Sequence, residues 1–286
     1  MNSENTKSEN TTVVDSKEVG LAVGLILGEQ LLGMRDLHYG LWTDGMDVSL
    51  ANFSRAQQNY SEFLLSRIPP GTRRILDVGS GAGKLARELL SVGYQVDCVS
   101  PSTYLTGRLK DSLRERCHIY PVKFEALDTT QNYDLVLFSE SFQYVNPEIA
   151  LAKVCELLSP GGHLIISDFF RRNVPGISPL GGGHLIDEFR ALLPRFPLRI
   201  VQETDLTAET APTMEMFGSV LNDTARPLRD LVVGFVQHRH PILSKFLAWK
   251  LRKRFVKIND KYFSKKLSGA SFSQFKTYRF YLLQRK

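Results

Sequence analysis

The chain has 286 residues, 43% hydrophobic and 23% charged. Such a balance excludes wholesale disorder and allows one large α/β domain with a cap, or two small domains. The net charge of +6 is regional: ten Lys or Arg between His238 and Lys266 face one acid, Asp260, leaving that stretch at +9 and the rest at −3.

The first 17 residues are polar and are expected to be a disordered tail. Residues 18–32 read as an amphipathic or buried helix, because the apolar run is shorter than a membrane span and lacks the basic lead of a signal peptide. Residues 18–68 form an expected N-terminal helical lid segment. Within it Phe53, Ala56, Tyr60, Phe63 and Leu64 recur at helical spacing until Pro69-Pro70-Gly71 ends the helix. A strand at 73–79, a glycine turn and a helix at 84–90 follow. The rhythm then repeats: strand 95–100, helix 102–116, strand 118–124, strand 133–139, helix 147–158 and, after the turn at Ser159-Pro160-Gly161-Gly162, strand 163–169. Five strands alternating with helices predict a doubly wound, mostly parallel sheet of seven strands. Beyond Phe170 come a glycine-rich loop (175–183), a helix near 184–193, a strand near 198–204, a largely helical stretch and a final strand-like run. The expected organisation is a core over 69–205 and 271–286, with a helical basic cap at 206–270 inserted before the last strand.

Between the first strand and helix stand Asp77, Gly79, Ser80, Gly81 and Gly83. Glycines there let the backbone approach a ligand and aim amides at it. The dinucleotide fingerprint GxGxxG would need glycine at 84, where this chain has Lys84. A pyrophosphate needs that cradle, whereas S-adenosylmethionine carries none, and Asp77 suits its amino group.

The run ILDVGSGAGKLARELL resembles the first motif of class I S-adenosylmethionine-dependent methyltransferases, and the likeness extends over about residues 38–170. LHYGLW (37–42) and SESFQYV (139–145) are similar to segments of the tocopherol, sarcosine and sugar natural-product branch. The resemblance implies a Rossmann-like fold and S-adenosyl-L-methionine as cofactor. It also implies that Tyr39 and Trp42 close over that cofactor, that Glu140 and Ser141 flank its methionine end, and that Phe124, Glu125 and Ala126 frame the adenine. Two departures stand out. Most relatives have an acid after the second strand for the ribose, where this chain has Ser100-Pro101-Ser102, so ribose contacts fall to Ser100 or Ser102. Tyr144 occupies the position of the histidine in the relatives' E-S-x-x-H stretch.

Methyl transfer from a sulfonium is an in-line displacement that chiefly requires alignment. A base is needed only if the acceptor must lose a proton. The candidates are Tyr144, His38 and His184; His118, His163, His238 and His240 read as structural or surface residues. Cys98, Cys117 and Cys155 lack metal-ligand spacing, so no metal is expected and reduced thiols point to the cytoplasm. Phe169, Phe170, Met214, Met216 and Phe217 flank the expected substrate mouth and suit an apolar ligand, as they also suit a core.

The expected substrate is a small, apolar or lipid-like metabolite, an anionic one being a further option, methylated on O, N or C. Basic and apolar residues interleave over 242–266, which reads as an amphipathic lid helix or a peripheral membrane contact. No nucleic-acid reading module accompanies the charge. Two other readings stay open: a non-catalytic cofactor-binding interaction protein, and an NAD(P)-dependent oxidoreductase.

Overall fold

The computed structural model describes residues 26, 28, 38–262 and 267–286. The expected tail at 1–17, most of the expected helix at 18–32, Leu37, and residues 263–266 of the basic segment lie outside them. In chain order the elements are α1 (Leu50–Ser66), β1 (Arg74–Val78), α2 (Lys84–Ser91), β2 (Gln95–Val99), α3 (Thr103–Leu113) and β3 (Ile119–Tyr120). Then come β4 (Tyr133–Ser139), α4 (Pro147–Leu157), β5 (Leu158–Arg171), α5 (Ile186–Leu192) and β6 (Leu198–Asp205). The chain continues through α6 (Thr207–Thr210), α7 (Pro212–Ser219), α8 (Arg226–Arg239), α9 (Pro241–Tyr262) and α10 (Gly269–Phe275) to β7 (Lys276–Arg285).

The seven strands form one sheet in the order β3-β2-β1-β4-β5-β7-β6, parallel except for β7, which runs antiparallel between β5 and β6. This is the expected doubly wound sheet with a late antiparallel strand. Its side chains alternate between two apolar layers. Leu76, Val78, Val136, Phe138, Leu164 and Ile166 meet α4 and α5 through residues such as Leu151, Val154 and Phe189. Ile75, Leu135, Leu137 and Ile165 meet the other side, where Tyr60, Leu64, Leu85, Leu89 and Leu109 of α1, α2 and α3 pack. With both faces covered, the strands need no polar face, so their sequences barely alternate.

Two boundaries differ from expectation. The third strand, expected over 118–124, pairs only at Ile119 and Tyr120, because Pro121 has no N–H to extend the ladder; Phe124–Ala126 instead make a 3-10 turn. The fifth strand begins earlier, at Leu158, which pairs with Tyr133. The expected turn residues thus sit within its run, with a register shift between Tyr133 and Leu135.

Between β6 and β7 most of the described residues are helical, with short breaks at Leu206, Ala211, His240 and Leu267–Ser268. A π-helical segment, Val220–Ala225, joins α7 to α8; Pro227 near the start of α8 cannot donate to the carbonyl four residues back, which loosens the ladder there.

Phe189 is buried, with ring centroids 5.4 Å from Phe142, 5.0 Å from Phe170 and 5.3 Å from Tyr281. Phe189→Ala should therefore destabilise the protein by about 3–5 kcal/mol in denaturant unfolding. A loss below about 1 kcal/mol would contradict this packing.

Candidate active site

Parallel strands deliver their carboxyl ends to one edge, and the turns there hold most of the residues singled out by the sequence. Between β1 and α2 all three glycines adopt left-handed backbone, with φ of +78° at Gly79, +55° at Gly81 and +87° at Gly83. The turn is anchored from within: the Gly79 N–H donates to the Val99 carbonyl at 2.8 Å, the Ser80 hydroxyl to the Asp77 carbonyl at 2.9 Å, and the Gly83 N–H to the Ser80 carbonyl at 2.9 Å.

The three glycines differ in what surrounds them. A side chain at Gly79 would meet Ser141 Cβ at 2.4 Å, and one at Gly83 would meet Leu109 at 2.8 Å. At Gly81 nothing lies within 4 Å. Packing therefore excludes a side chain at Gly79 and Gly83 and leaves room for one at Gly81, while the backbone is exposed at Gly79, partly so at Gly81 and buried at Gly83. Lys84, where a dinucleotide site would have glycine, is buried and lies 3.7 Å from Glu88 along α2. Its ammonium is engaged within the helix.

The turn after β4 presses directly on this one. Ser141 donates its hydroxyl to the Val78 carbonyl. Glu140 has φ of +56°, a left-handed conformation that costs a non-glycine residue energy and recurs at functional sites. Its Oε1 accepts the Tyr39 N–H at 2.8 Å and the Tyr278 hydroxyl at 2.7 Å. With its one proton committed to Glu140, the Tyr278 hydroxyl accepts from the Tyr60 hydroxyl at 3.0 Å, and Tyr60 lies 3.1 Å from Ser139 Oγ. Burial, and after it the charge of Glu140, holds the hydroxyls of Tyr39, Tyr60 and Tyr278 well above the usual phenol range. They stay protonated as donors at neutral pH.

The remaining expected residues divide. Tyr39 joins this edge, its ring among Phe169, Phe272 and Tyr278 and its hydroxyl 3.6 Å from Met214 Sδ. Trp42 does not follow it; its indole stacks with Phe53 and donates to Thr213 Oγ1 at 3.0 Å, tying the segment to α7. Asp77 is buried on β1 opposite Cys98 and Leu137. Ser102 caps α3, accepting the Leu105 N–H at 3.1 Å, while the Ser100 carbonyl accepts the Thr106 hydroxyl at 3.1 Å. Phe124 is buried edge-on to Phe138 at 5.1 Å, Glu125 is half-buried and Ala126 exposed.

The three candidate bases also separate. Tyr144 is 79% exposed at the end of a 3-10 turn. The His38 ring is buried against Tyr60 at 4.7 Å with Nδ1 2.7 Å from the Tyr39 carbonyl. His184 has Nε2 3.0 Å from the Phe142 carbonyl. Because a carbonyl only accepts, each histidine places its proton on that nitrogen, leaving the lone pair on Nε2 of His38 and Nδ1 of His184.

Four residues outside the sequence candidates complete the edge. Tyr60 belongs to the apolar pattern of the first helix and Tyr278 falls in the final strand-like run, and nothing local distinguishes them. Asp168 had a signal: an acid inside an apolar parallel strand. It is buried, accepting N–H groups from Gln143 at 2.9 and 3.2 Å and from Phe169 at 2.8 Å. Burial outweighs those donors and, with Glu140 nearby, pushes its carboxyl up to about 8. Lys276 is fully buried, donating to the Gly182 carbonyl at 2.5 Å over the face of Phe169 at 5.1 Å. Burial and Arg171 pull its ammonium down to about 8.

A raised carboxyl pKa means the folded protein retains a proton that the unfolded chain has released. Stability contributed by Asp168 is full below the ordinary value of 3.8 and is lost as pH rises to about 8. Asp168→Asn should therefore flatten the decline of melting temperature across that window. Parallel profiles for the two proteins would refute an elevated carboxyl.

Comparison with known proteins accords with this geometry. A family model described as "Methyltransferase domain" matches residues 51–208. An uncharacterised methyltransferase of Mycobacterium tuberculosis is 31% identical over 97 residues, 34% of this chain and 40% of the relative. A ubiquinone biosynthesis O-methyltransferase of Xanthomonas axonopodis pv. citri is 28% identical over 116 residues, 38% of this chain and 48% of the relative. The chain thus spans less than half the length of these curated relatives. The solved geranyl diphosphate C-methyltransferase of Streptomyces coelicolor, in complex with Mg2+, geranyl-S-thiolodiphosphate and S-adenosyl-L-homocysteine, superimposes with a TM-score of 0.62 at 17% identity. That superposition covers 92% of each chain.

Proposed function

We propose, on the premise that this chain belongs to the methyltransferase-domain family, that it moves the methyl group of S-adenosyl-L-methionine to O, N or C of a small, apolar or lipid-like metabolite. The family assignment rests on a match across more than half of the sequence. One observation carries the cofactor: the turn at 79–83 leaves backbone accessible at Gly79 and partly at Gly81, but where a pyrophosphate cradle needs glycine it has Lys84, buried and engaged by Glu88. That fits a nucleoside without phosphates better than a pyrophosphate, which favours S-adenosylmethionine over NAD(P).

When bound, that cofactor supplies a methyl group already activated as a sulfonium. On this reading Asp77, Gly79, Ser80, Gly81 and Gly83 would hold its amino acid and sulfonium end, beside Glu140 and Ser141. Ser100 and Ser102 would hold the ribose, and Phe124, Glu125 and Ala126 the adenine. Tyr39 closes the site by closing on Glu140. Trp42 acts further out, fixing the same segment against α7. The residues of this chain mainly align the acceptor. Should the acceptor be a phenol or enol, His184 is the base preferred over His38 and Tyr144. His38 is enclosed against Tyr60, and an exposed phenol is a weak base at neutral pH.

Several observations support an apolar acceptor. Phe169, Met214 and Phe272 gather around Tyr39, and the Xanthomonas relative is named for ubiquinone biosynthesis. Lys276 adds an option for an acidic group: it is a buried ammonium with no carboxylate contact among the described residues, and an unpaired buried cation is costly. The thiols Cys98, Cys117 and Cys155 are unbridged, which suits the cytoplasm, with peripheral contact at a membrane through 242–266.

Titration calorimetry with S-adenosylmethionine tests the reading. The protein should bind it, and Gly81→Val should weaken binding by about a hundredfold or more, because a branched side chain then occupies the open backbone face. Circular dichroism should stay unchanged. Undiminished binding by the variant would move the site elsewhere, and tight NADH binding in place of S-adenosylmethionine would favour the oxidoreductase.

A further inference from the structure

Large apolar side chains that remain exposed are concentrated in α8 and α9. On α8, Leu228, Leu231, Val232 and Phe235 are all more than half exposed. Their spacing of i, i+3, i+4 and i+7 puts them on one side of the helix. On α9, Ile242 is 86% exposed, Phe246 50%, Trp249 76% and Val256 53%. With Lys253 these positions follow i, i+4, i+7, i+11 and i+14, again a single stripe. Leu251, half-buried, lies on the other side of α9. The exposed stripe is thus separate from the face that a lid helix turns inward.

Cations border this stripe. The sequence from Pro241 to Tyr262 has seven Lys or Arg against one Asp. Lys245, Lys250 and Arg252 are exposed beside it, and Lys253 stands within it. Where α8 meets α9, Arg239, His240, Ile242 and Phe246 line an open cleft of about 580 Å³, mixing cationic and apolar walls.

We infer that α8 and α9 form a docking surface for an anionic lipid bilayer, with Ile242, Phe246 and Trp249 entering the interface and Lys245, Lys250, Arg252 and Lys253 meeting lipid phosphates. The chemistry selects this occupant over a second protein copy. A protein interface would bury Lys253 in the middle of an apolar strip, at the cost of desolvating an ammonium. A bilayer lets the lysine stem lie among acyl chains while its head reaches the phosphates. Exposed apolar patches of this extent mark interaction surfaces, and cationic clusters beside them draw anionic leaflets. No described helix is long and apolar enough to cross a membrane, so α9 lies on the surface. The inference is independent of the methyl-transfer reaction, although a lipid-like acceptor would be met at the same surface.

The protein carries its own reporter. It has two tryptophans; Trp42 is 5% exposed and Trp249 76%. Mixing the full chain with phosphatidylcholine vesicles containing phosphatidylglycerol should sediment it and shift its tryptophan emission to the blue. Trp249→Phe should abolish the shift yet keep most of the sedimentation. The quadruple variant Lys245→Gln, Lys250→Gln, Arg252→Gln and Lys253→Gln should lower partitioning by about tenfold or more, as should added salt. Ile242→Asp with Phe246→Asp should lower it comparably, with helical content by circular dichroism unchanged. Absence of sedimentation, equal binding to pure phosphatidylcholine, or a vesicle-free dimer in which Trp249 emission is already blue-shifted would each overturn the inference. The last would assign the stripe to a second copy.

Discussion

The carboxyl edge of the sheet is held together by one carboxylate. Glu140 leaves β4 in a left-handed conformation, and its Oε1 receives the amide of Tyr39 and the hydroxyl of Tyr278. Two distant parts of the chain, the segment before α1 and the start of the final strand, are thereby fastened to the turn beside Gly79. Hydrogen bonds to an ionised acceptor are stronger than neutral ones, and buried donors left unsatisfied are expensive. Positive φ at Glu140 is the local cost of aiming that carboxylate inward.

From that junction the shape of the site follows. Ser141 sits so close to Gly79 that no side chain fits there, and Leu109 excludes one at Gly83. The glycines therefore do two jobs with the same residue type. Gly79 and Gly83 allow secondary elements to meet, and Gly79 and Gly81 leave backbone accessible. Such division accounts for three closely spaced glycines without a fourth at position 84. Around it the polar groups are buried and used: Asp168 by Gln143 and Phe169, Tyr60 by Tyr278 and Ser139. A rigid, satisfied edge of this kind is what an alignment-driven reaction requires.

The cap contrasts with the core. The sheet buries its apolar residues on both faces, whereas α8 and α9 leave theirs in solvent along stripes bordered by cations. A domain with enough core to fold has no need to expose Trp249 and Phe246 for its own stability. Their exposure points outward, to a surface that can take apolar and cationic groups together.

Much of this was legible in the residues themselves. Apolar runs bounded by glycine and proline determined the alternating strands and helices, because parallel strands covered on both faces are mostly apolar, with acids such as Asp77 and Asp168 as the exceptions. The spacing Gly79, Gly81, Gly83 marked a turn of left-handed backbone, since glycine adopts that conformation most readily. Tertiary structure decided the rest. Pro121 shortened β3 by denying it a donor, and Trp42 went to Thr213 while its neighbour Tyr39 went to Glu140. Tyr60 and Tyr278, 218 positions apart, met at one carboxylate. Contacts of that kind depend on which ends of the sheet coincide, and one-dimensional periodicity carries no record of that. The exposure of Ile242, Phe246, Trp249 and Val256 on α9 had the same character, since their spacing fits a covered stripe as well as an exposed one.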